Sequence, residues 1–103
     1  MVYEAKNFDN LIGLKGFSDS LLNNHFKLYQ GYVIHTNKVL ELLNKGADTY
    51  EYGELKRRFG WEFNGMKLHE YYFGNMSKDA KNLDTSSELH KKLCEQFGSY
   101  EEW

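Results

Sequence analysis

Residues 22–43 read LNNHFKLYQGYVIHTNKVLELL. Within this stretch, one set of residues recurs at alternating steps of three and four: Leu22, His25, Tyr29, Tyr32, Thr36, Val39 and Leu43. Such spacing keeps returning to the same side of an α-helix, which turns once every ~3.6 residues. Ser18 is a suitable N-cap before the stretch, and Gly46 is a suitable C-terminal stop after it. The pattern therefore predicts a long helix over residues 18–45 with a single inward face.

A second stripe with the same steps follows after a short turn: Leu55, Phe59, Glu62, Met66, His69 and Phe73. Asp48 and Glu51 have the spacing of a reciprocal N-terminal cap, and Gly74-Asn75 ends the pattern. These signals predict a second helix over residues 49–74. Two helices of similar length joined by a short loop should pair antiparallel.

In such a hairpin, His25 lies near the start of the first helix and His69 near the end of the second. We therefore expect the two histidines at the same level, at one end of the hairpin. No β-sheet is expected. The predicted core consists of Leu22, Phe26, Tyr29, Tyr32, Leu43, Phe59, Met66, Leu68 and Phe73.

The flanking segments are predicted to be shorter units. Residues 1–17 contain Gly13 and Gly16, which weaken helix and strand alike, so we expect an extended arm. Residues 77–103 are expected to form a polar loop, a short helix that begins at a capping box over residues 85–88, and the start of the next domain. Leu89, Leu93 and Phe97 form the apolar stripe of the short helix. A further capping box over residues 99–102 predicts that a fourth helix begins just before Trp103.

Composition restricts the class of protein. The chain has 103 residues, of which 41% are hydrophobic, and a formal net charge of −2. It therefore has no basic field for binding nucleic acid. It also has no apolar run of membrane-spanning length and no signal-peptide pattern at its start, so we expect a soluble, cytoplasmic protein. Cys94 has no partner cysteine and should be a free thiol.

Three segments, residues 24–33, 68–73 and 97–100, resemble in order three signatures of the iron/manganese superoxide dismutases. The resemblance implies an all-α N-terminal half of such an enzyme, with His25 and His69 as metal ligands and iron or manganese as the cofactor. It also implies that Tyr32 is the tyrosine that guards the substrate channel, and that Tyr29 and Tyr72 are aromatic residues around the ligands. The last segment would open the family's C-terminal α/β domain.

The sequence departs from the family pattern in three ways. The gap from His25 to the gateway tyrosine is seven residues instead of the family's eight, but seven steps of 100° return within about 20°, so a plain helix keeps both on one face. The family usually has a pair of histidines before that tyrosine. This sequence lacks the pair and has Leu28 and Tyr29 in that region, so dimer contacts should differ. The family's Asp-x-x-x-His motif is absent, because neither His35 nor His90 follows an aspartate by four residues.

The missing motif would leave the metal without a carboxylate and a third imidazole, so we expect a C-terminal half to complete the site. Gly65, four residues before His69, favours manganese over iron by family resemblance. The resemblance makes superoxide the substrate, with O2 and H2O2 as products. The expected partners are the C-terminal half and a second copy of the chain, the latter in a dimeric four-helix bundle.

Alternatives remain at this stage. A histidine on an apolar stripe is often an ordinary core residue, and the chain could be a free-standing helical dimerisation or metal-binding module without dismutase activity. Glu62 interrupts the second stripe and could be a third ligand across a helical dimer. The simpler interpretation of Glu62 is a solvated or ion-paired side chain, with Lys56 or Arg58 as its partner. His35 and His90 are expected to be exposed.

Overall fold

The computed structural model describes residues 2–103, which contain a short 3₁₀-helix and three α-helices but no β-strand. The 3₁₀-helix spans Asp9–Leu11, α1 spans Asp19–Asn44, α2 spans Thr49–Gly74 and α3 spans Glu88–Phe97. Helices α1 and α2 pack against each other along their length as a hairpin. The predicted all-α hairpin with a short C-terminal helix is therefore confirmed. Within the described residues, no helix is long and apolar enough to cross a bilayer.

The hairpin helices begin where the capping signals predicted. The Ser18 hydroxyl accepts a hydrogen bond from the Leu21 backbone N–H at 3.1 Å, and the Asp48 carboxylate accepts one from the Glu51 N–H at 2.8 Å. Each bond satisfies a backbone donor that has no partner within the helix. After α1, Gly46 adopts φ of 84°, which a residue with a Cβ rarely tolerates.

Helix α3 starts two residues later than the capping box predicted. Its N-cap is Ser87, whose hydroxyl accepts from the His90 N–H at 3.2 Å. The Asp84 carboxylate holds the preceding turn by accepting from the Ser86 N–H and hydroxyl, so Thr85 lies in that turn. The predicted cap at Ser99 does form, since its hydroxyl accepts from the Glu102 N–H at 3.2 Å, but residues 99–102 form a turn and not the start of a fourth helix.

The core lies between α1 and α2. Of the predicted core residues, five are buried and three are half-buried. The prediction that Leu68 belongs to the core is wrong, because its side chain is 63% exposed. Successive helical residues point about 100° apart, so Leu68 lies off the inward face that Met66 and Phe73 share. The buried predictions are Leu22, Phe26, Tyr29, Met66 and Phe73, and the half-buried ones are Tyr32, Leu43 and Phe59.

The N-terminal arm, residues 3–17, packs along one side of the hairpin and buries Leu11 there. The Tyr3 N–H donates to the Asn37 side-chain oxygen at 2.9 Å, and the Asn37 amide donates to the Tyr3 carbonyl at 2.7 Å. The Tyr3 ring also meets Phe63 edge to face on α2, with ring centroids 5.9 Å apart. The arm thus fastens to both helices.

The side of the hairpin away from the arm, which we call the open face, carries exposed apolar residues. On α2, residues 61, 65, 68 and 72 are spaced by four, three and four, so they form one stripe turned away from the arm-facing Phe63. Trp61 and Leu68 are each 63% exposed there, and Leu28 on α1 is 54% exposed.

Candidate metal site

The two predicted ligand histidines are in contact. The ring centroids of His25 and His69 are 4.9 Å apart, with the rings nearly perpendicular at 89°. Each side chain is half-buried. Antiparallel pairing brings the start of α1 beside the end of α2, as the positions of the two histidines in sequence predicted.

The two rings are also held in a form suited to metal binding. The Nδ1 of His69 is 2.6 Å from the Gly65 carbonyl oxygen, the distance of an N–H···O hydrogen bond, which leaves Nε2 as the free nitrogen. Burial lowers the pKa of His25, and the neighbouring His69 lowers it further. A lowered pKa favours the neutral imidazole, which is the form that binds a metal.

Aromatic side chains surround this pair on several sides. Phe73 packs against His25 and His69, with ring centroids 5.0 and 6.0 Å away. Tyr72 lies 5.5 Å from His25, Tyr32 lies 5.3 Å from His69, and Tyr29 stacks on His69 at 6.5 Å. The structure therefore brings all five predicted site residues together. Phe73 was predicted only as core, and its place four residues after His69 was the signal for this contact.

The seven-residue gap between His25 and Tyr32 is accommodated by a continuous helix, since α1 is α-helical from Asp19 to Asn44. Tyr32 reaches His69 because Gly65 has no side chain. A Cβ at Gly65 would lie 2.4 Å from two atoms of the Tyr32 ring, well inside contact distance. Glycine at position 65 is thus required for this packing.

On the arm side, the Tyr29 hydroxyl joins three parts of the chain. It donates to the Glu70 Oε2 at 2.8 Å and accepts from the Lys6 backbone N–H at 2.9 Å. Burial raises the pKa of Tyr29 to about 12, and the Glu70 carboxylate adds to this rise while the Lys6 N–H opposes it. Glu70 was not predicted as a site residue, and the only signal for it in the sequence is its place four residues after the buried Met66.

Glu62 is buried rather than solvated, with 2% of its surface exposed. The predicted ion pair with Arg58 is confirmed, since the Arg58 Nη2 lies 2.8 Å from the Glu62 Oε1. The Nδ1 of His35 lies 3.7 Å from the Glu62 Oε2. His35 is exposed as predicted, whereas His90 is half-buried, with its Nδ1 3.7 Å from the Cys94 sulfur.

Across residues 2–103, no group of three or more His, Cys, Asp and Glu side chains could together hold a metal ion. Glu62 therefore does not join the two site histidines within one chain. What this chain offers a metal at the site is a pair of imidazoles without a neighbouring carboxylate ligand.

The chain is similar to the proteins named superoxide dismutase [Fe] from Aquifex aeolicus (strain VF5) and Aquifex pyrophilus. It is 35% identical to each over an alignment 95 residues long, and the alignment covers 82% of this chain. The chain spans 44% of the length of these curated relatives. No protein-family model matches the chain, and no solved structure matches it significantly.

Proposed function

Because the chain belongs to the iron/manganese superoxide dismutase family, we propose that it supplies His25 and His69 as two ligands of a dismutase metal site. The observation that most supports this is the separation of 4.9 Å between the two ring centroids. Imidazoles that share a metal, with bonds of about 2.0–2.1 Å and a ligand angle of roughly 90–110°, have centroids roughly 4.5–5.2 Å apart. The observed separation is therefore compatible with two imidazoles that bind one ion.

The remaining ligands come from a C-terminal half that carries an Asp-x-x-x-His motif. Two neutral imidazoles bring no negative charge, and a carboxylate is needed to favour a trivalent ion. When bound, iron or manganese supplies a couple between the +3 and +2 states, the chemistry that one-electron exchange with superoxide requires. The proposed reaction converts superoxide to O2 and H2O2.

The other residues of this chain shape the surroundings of the ligands. Phe73 and Tyr72 cover the sides of His25, so they limit the access of water to it. Tyr32 is half-buried and lies beside His69 toward the open face, which is the place of a residue that guards an entrance. We assign Tyr32 the gateway role and the aromatic side chains the role of walls.

The identity of the metal rests on two observations that point in different directions. The curated relatives are named as iron enzymes, whereas Gly65 favoured manganese by resemblance. Gly65 is also required for the close approach of Tyr32, so its presence has a packing reason that is independent of the metal. Our proposal therefore covers both metals, and metal analysis after expression in iron- or manganese-supplemented medium decides between them.

The decisive experiment measures metal per chain with and without a co-expressed C-terminal half. We expect little metal on the 103-residue chain alone and about one ion per chain in the complex. In the complex, His25→Ala and His69→Ala should each abolish metal retention, whereas His35→Ala should leave it unchanged. Retention of metal by the His25→Ala and His69→Ala complexes would contradict the ligand assignment.

We further propose that the complete protein is a cytoplasmic homo-oligomer.

A further inference from the structure

A buried hydrogen-bonded chain connects the N-terminal arm to the metal-site end of the hairpin. It runs from the Lys6 backbone N–H to the Tyr29 hydroxyl and on to the Glu70 carboxylate, with distances of 2.9 and 2.8 Å. Tyr29 is fully buried and Glu70 is 8% exposed. The second carboxylate oxygen of Glu70 lies 3.7 Å from the Lys6 ammonium and 3.6 Å from that of Lys67.

This chain involves the neighbours of both site histidines. Tyr29 is one helical turn after His25 on α1, and its ring stacks on His69 at an angle of 24°. Glu70 directly follows His69, but neighbouring helical residues point about 100° apart, so Glu70 faces the arm. A single side chain, Tyr29, therefore contacts the His69 ring with its own ring and holds Glu70 with its hydroxyl.

Hydrogen bonds to a buried carboxylate fix geometry more firmly than apolar contacts do, because leaving that carboxylate unpaired is costly. Apolar side chains tolerate rotation of one helix against another, whereas a buried bond of 2.8 Å does not. Rotation of α2 about its axis would swing His69 away from His25 and break the bond between Tyr29 and Glu70. The bond therefore restricts rotation of α2 about its axis.

We propose that Glu70 is a positioning residue, which acts through Tyr29 and the arm to hold His69 at the orientation in which it shares a metal with His25. The effect of Glu70 on metal binding rests on the proposed function, whereas its effect on the orientation of the rings does not. Neither Glu70 nor the arm belongs to the ligand set, so their effect on metal binding is indirect. Outer partners that orient ligands typically change metal affinity by about 10–100-fold when removed.

The test compares four variants of the 103-residue chain. Tyr29→Phe removes the hydroxyl alone, Glu70→Ala removes the acceptor, and Glu70→Gln keeps an acceptor oxygen. The matched control is Glu62→Ala, which removes an equally buried, cation-paired carboxylate from the same helix without a contact to Tyr29. Helix content and urea unfolding of each variant establish that it folds.

Two measurements separate positioning from stability. Nuclear Overhauser effects between the His25, Tyr29 and His69 rings report orientation in the metal-free chain. Titration with Cu²⁺ reports affinity. Only the Cu²⁺ binding that is lost in the His25→Ala variant is attributed to the site. We expect Tyr29→Phe and Glu70→Ala to weaken the ring contacts and to lower this Cu²⁺ affinity by about 10-fold or more, while Glu70→Gln stays near wild type and Glu62→Ala loses stability only.

Unchanged ring contacts in Glu70→Ala, with Cu²⁺ affinity within about 2-fold of wild type and a stability loss like that of Glu62→Ala, would overturn the inference. The failure of the proposed function gives a different result. In that case the complex with a C-terminal half retains metal in the His25→Ala and His69→Ala variants, and the ring contacts in the metal-free chain alone decide whether Glu70 positions His69.

Discussion

At the scale of single residues, the site depends on one position where a side chain is excluded. Gly65 lies under the Tyr32 ring, and an added Cβ would sit 2.4 Å from it. We expect Gly65→Ala to displace Tyr32 from His69 and to destabilise the chain by about 1–3 kcal/mol, since overpacking forces side chains out of their preferred rotamers. Urea unfolding measures the loss, and the ring current shift of His69 reports the displacement.

Gly60 provides the control for this prediction. It lies in the same helix, and a Cβ there would meet no atom within 4 Å. Gly60→Ala should therefore stabilise the chain by up to about 1 kcal/mol through helix propensity alone. If the two substitutions shift stability in the same direction, the close packing of Tyr32 on Gly65 is not as described.

Leu68 and Met66 form a second residue-scale contrast, because the sequence suggested that both are core. Met66 is fully buried and Leu68 is 63% exposed. Met66→Ala should cost about 2–5 kcal/mol, the range for a large-to-small change in a core. At concentrations where the chain is monomeric, Leu68→Ala should cost less than about 0.5 kcal/mol, as surface substitutions usually do. Equal losses in urea unfolding would show that Leu68 is covered in solution.

At the scale of elements, the arm is the part that the hairpin holds by few but specific contacts. Asn37 binds both the N–H and the carbonyl of Tyr3. We expect Asn37→Ala to cost about 1 kcal/mol, because the half-buried backbone N–H and carbonyl of Tyr3 lose their partner. Amide exchange should rise in residues 3–9 and stay slow in the centres of α1 and α2. Asn64→Ala, at an exposed position of α2, serves as the control that should change neither.

The difference between patterns within one helix and contacts between distant residues explains how far the sequence predicted the elements. The hairpin helices came from long stripes and caps, which act within one helix, and they start and end within a residue of their predicted bounds. The placement of His25 beside His69 followed from antiparallel pairing. The contacts of the arm with Asn37, Tyr29 and Glu70 join residues 23 or more positions apart, and no local pattern indicates them.

For the whole molecule, the open face predicts self-association. Its exposed apolar side chains include Leu28, Trp61 and Leu68 on two neighbouring helices, and exposed apolar patches of this kind mark interaction surfaces. We expect the 103-residue chain to sediment as a dimer at high concentration. Trp61→Glu should shift it toward monomer, while Val2→Glu, an exposed change just before the arm, should not. A strict monomer at high concentration would contradict this prediction.

A C-terminal half competes for the same surface if it supplies the remaining ligands from the open face. Adding it should therefore change the association of the chain as well as its metal content. Sedimentation of the mixture tests whether the complex replaces the dimer or extends it. The outcome decides whether the open face is an interface between copies or the seat of the other half.

The last prediction concerns catalysis and follows from the number of ligands. Within residues 2–103, no carboxylate is placed to bind a metal together with the His25 and His69 imidazoles, so a polypeptide of these 103 residues should show little or no superoxide dismutation after metal loading and removal of free metal. A C-terminal half with an Asp-x-x-x-His motif should restore activity.

In that complex, His25→Ala and His69→Ala should abolish metal retention, whereas Tyr32→Phe should keep the metal and change the turnover rate, because a gateway residue acts on substrate and protons rather than on the ion. This difference separates a ligand from a gateway. If the metal-loaded chain alone dismutates superoxide at the rate of an evolved enzyme, the ligand-count argument is wrong. A symmetric dimer that pools His25, His69 and Glu62 from two chains would then be the leading arrangement, and Glu62→Gln should abolish its activity.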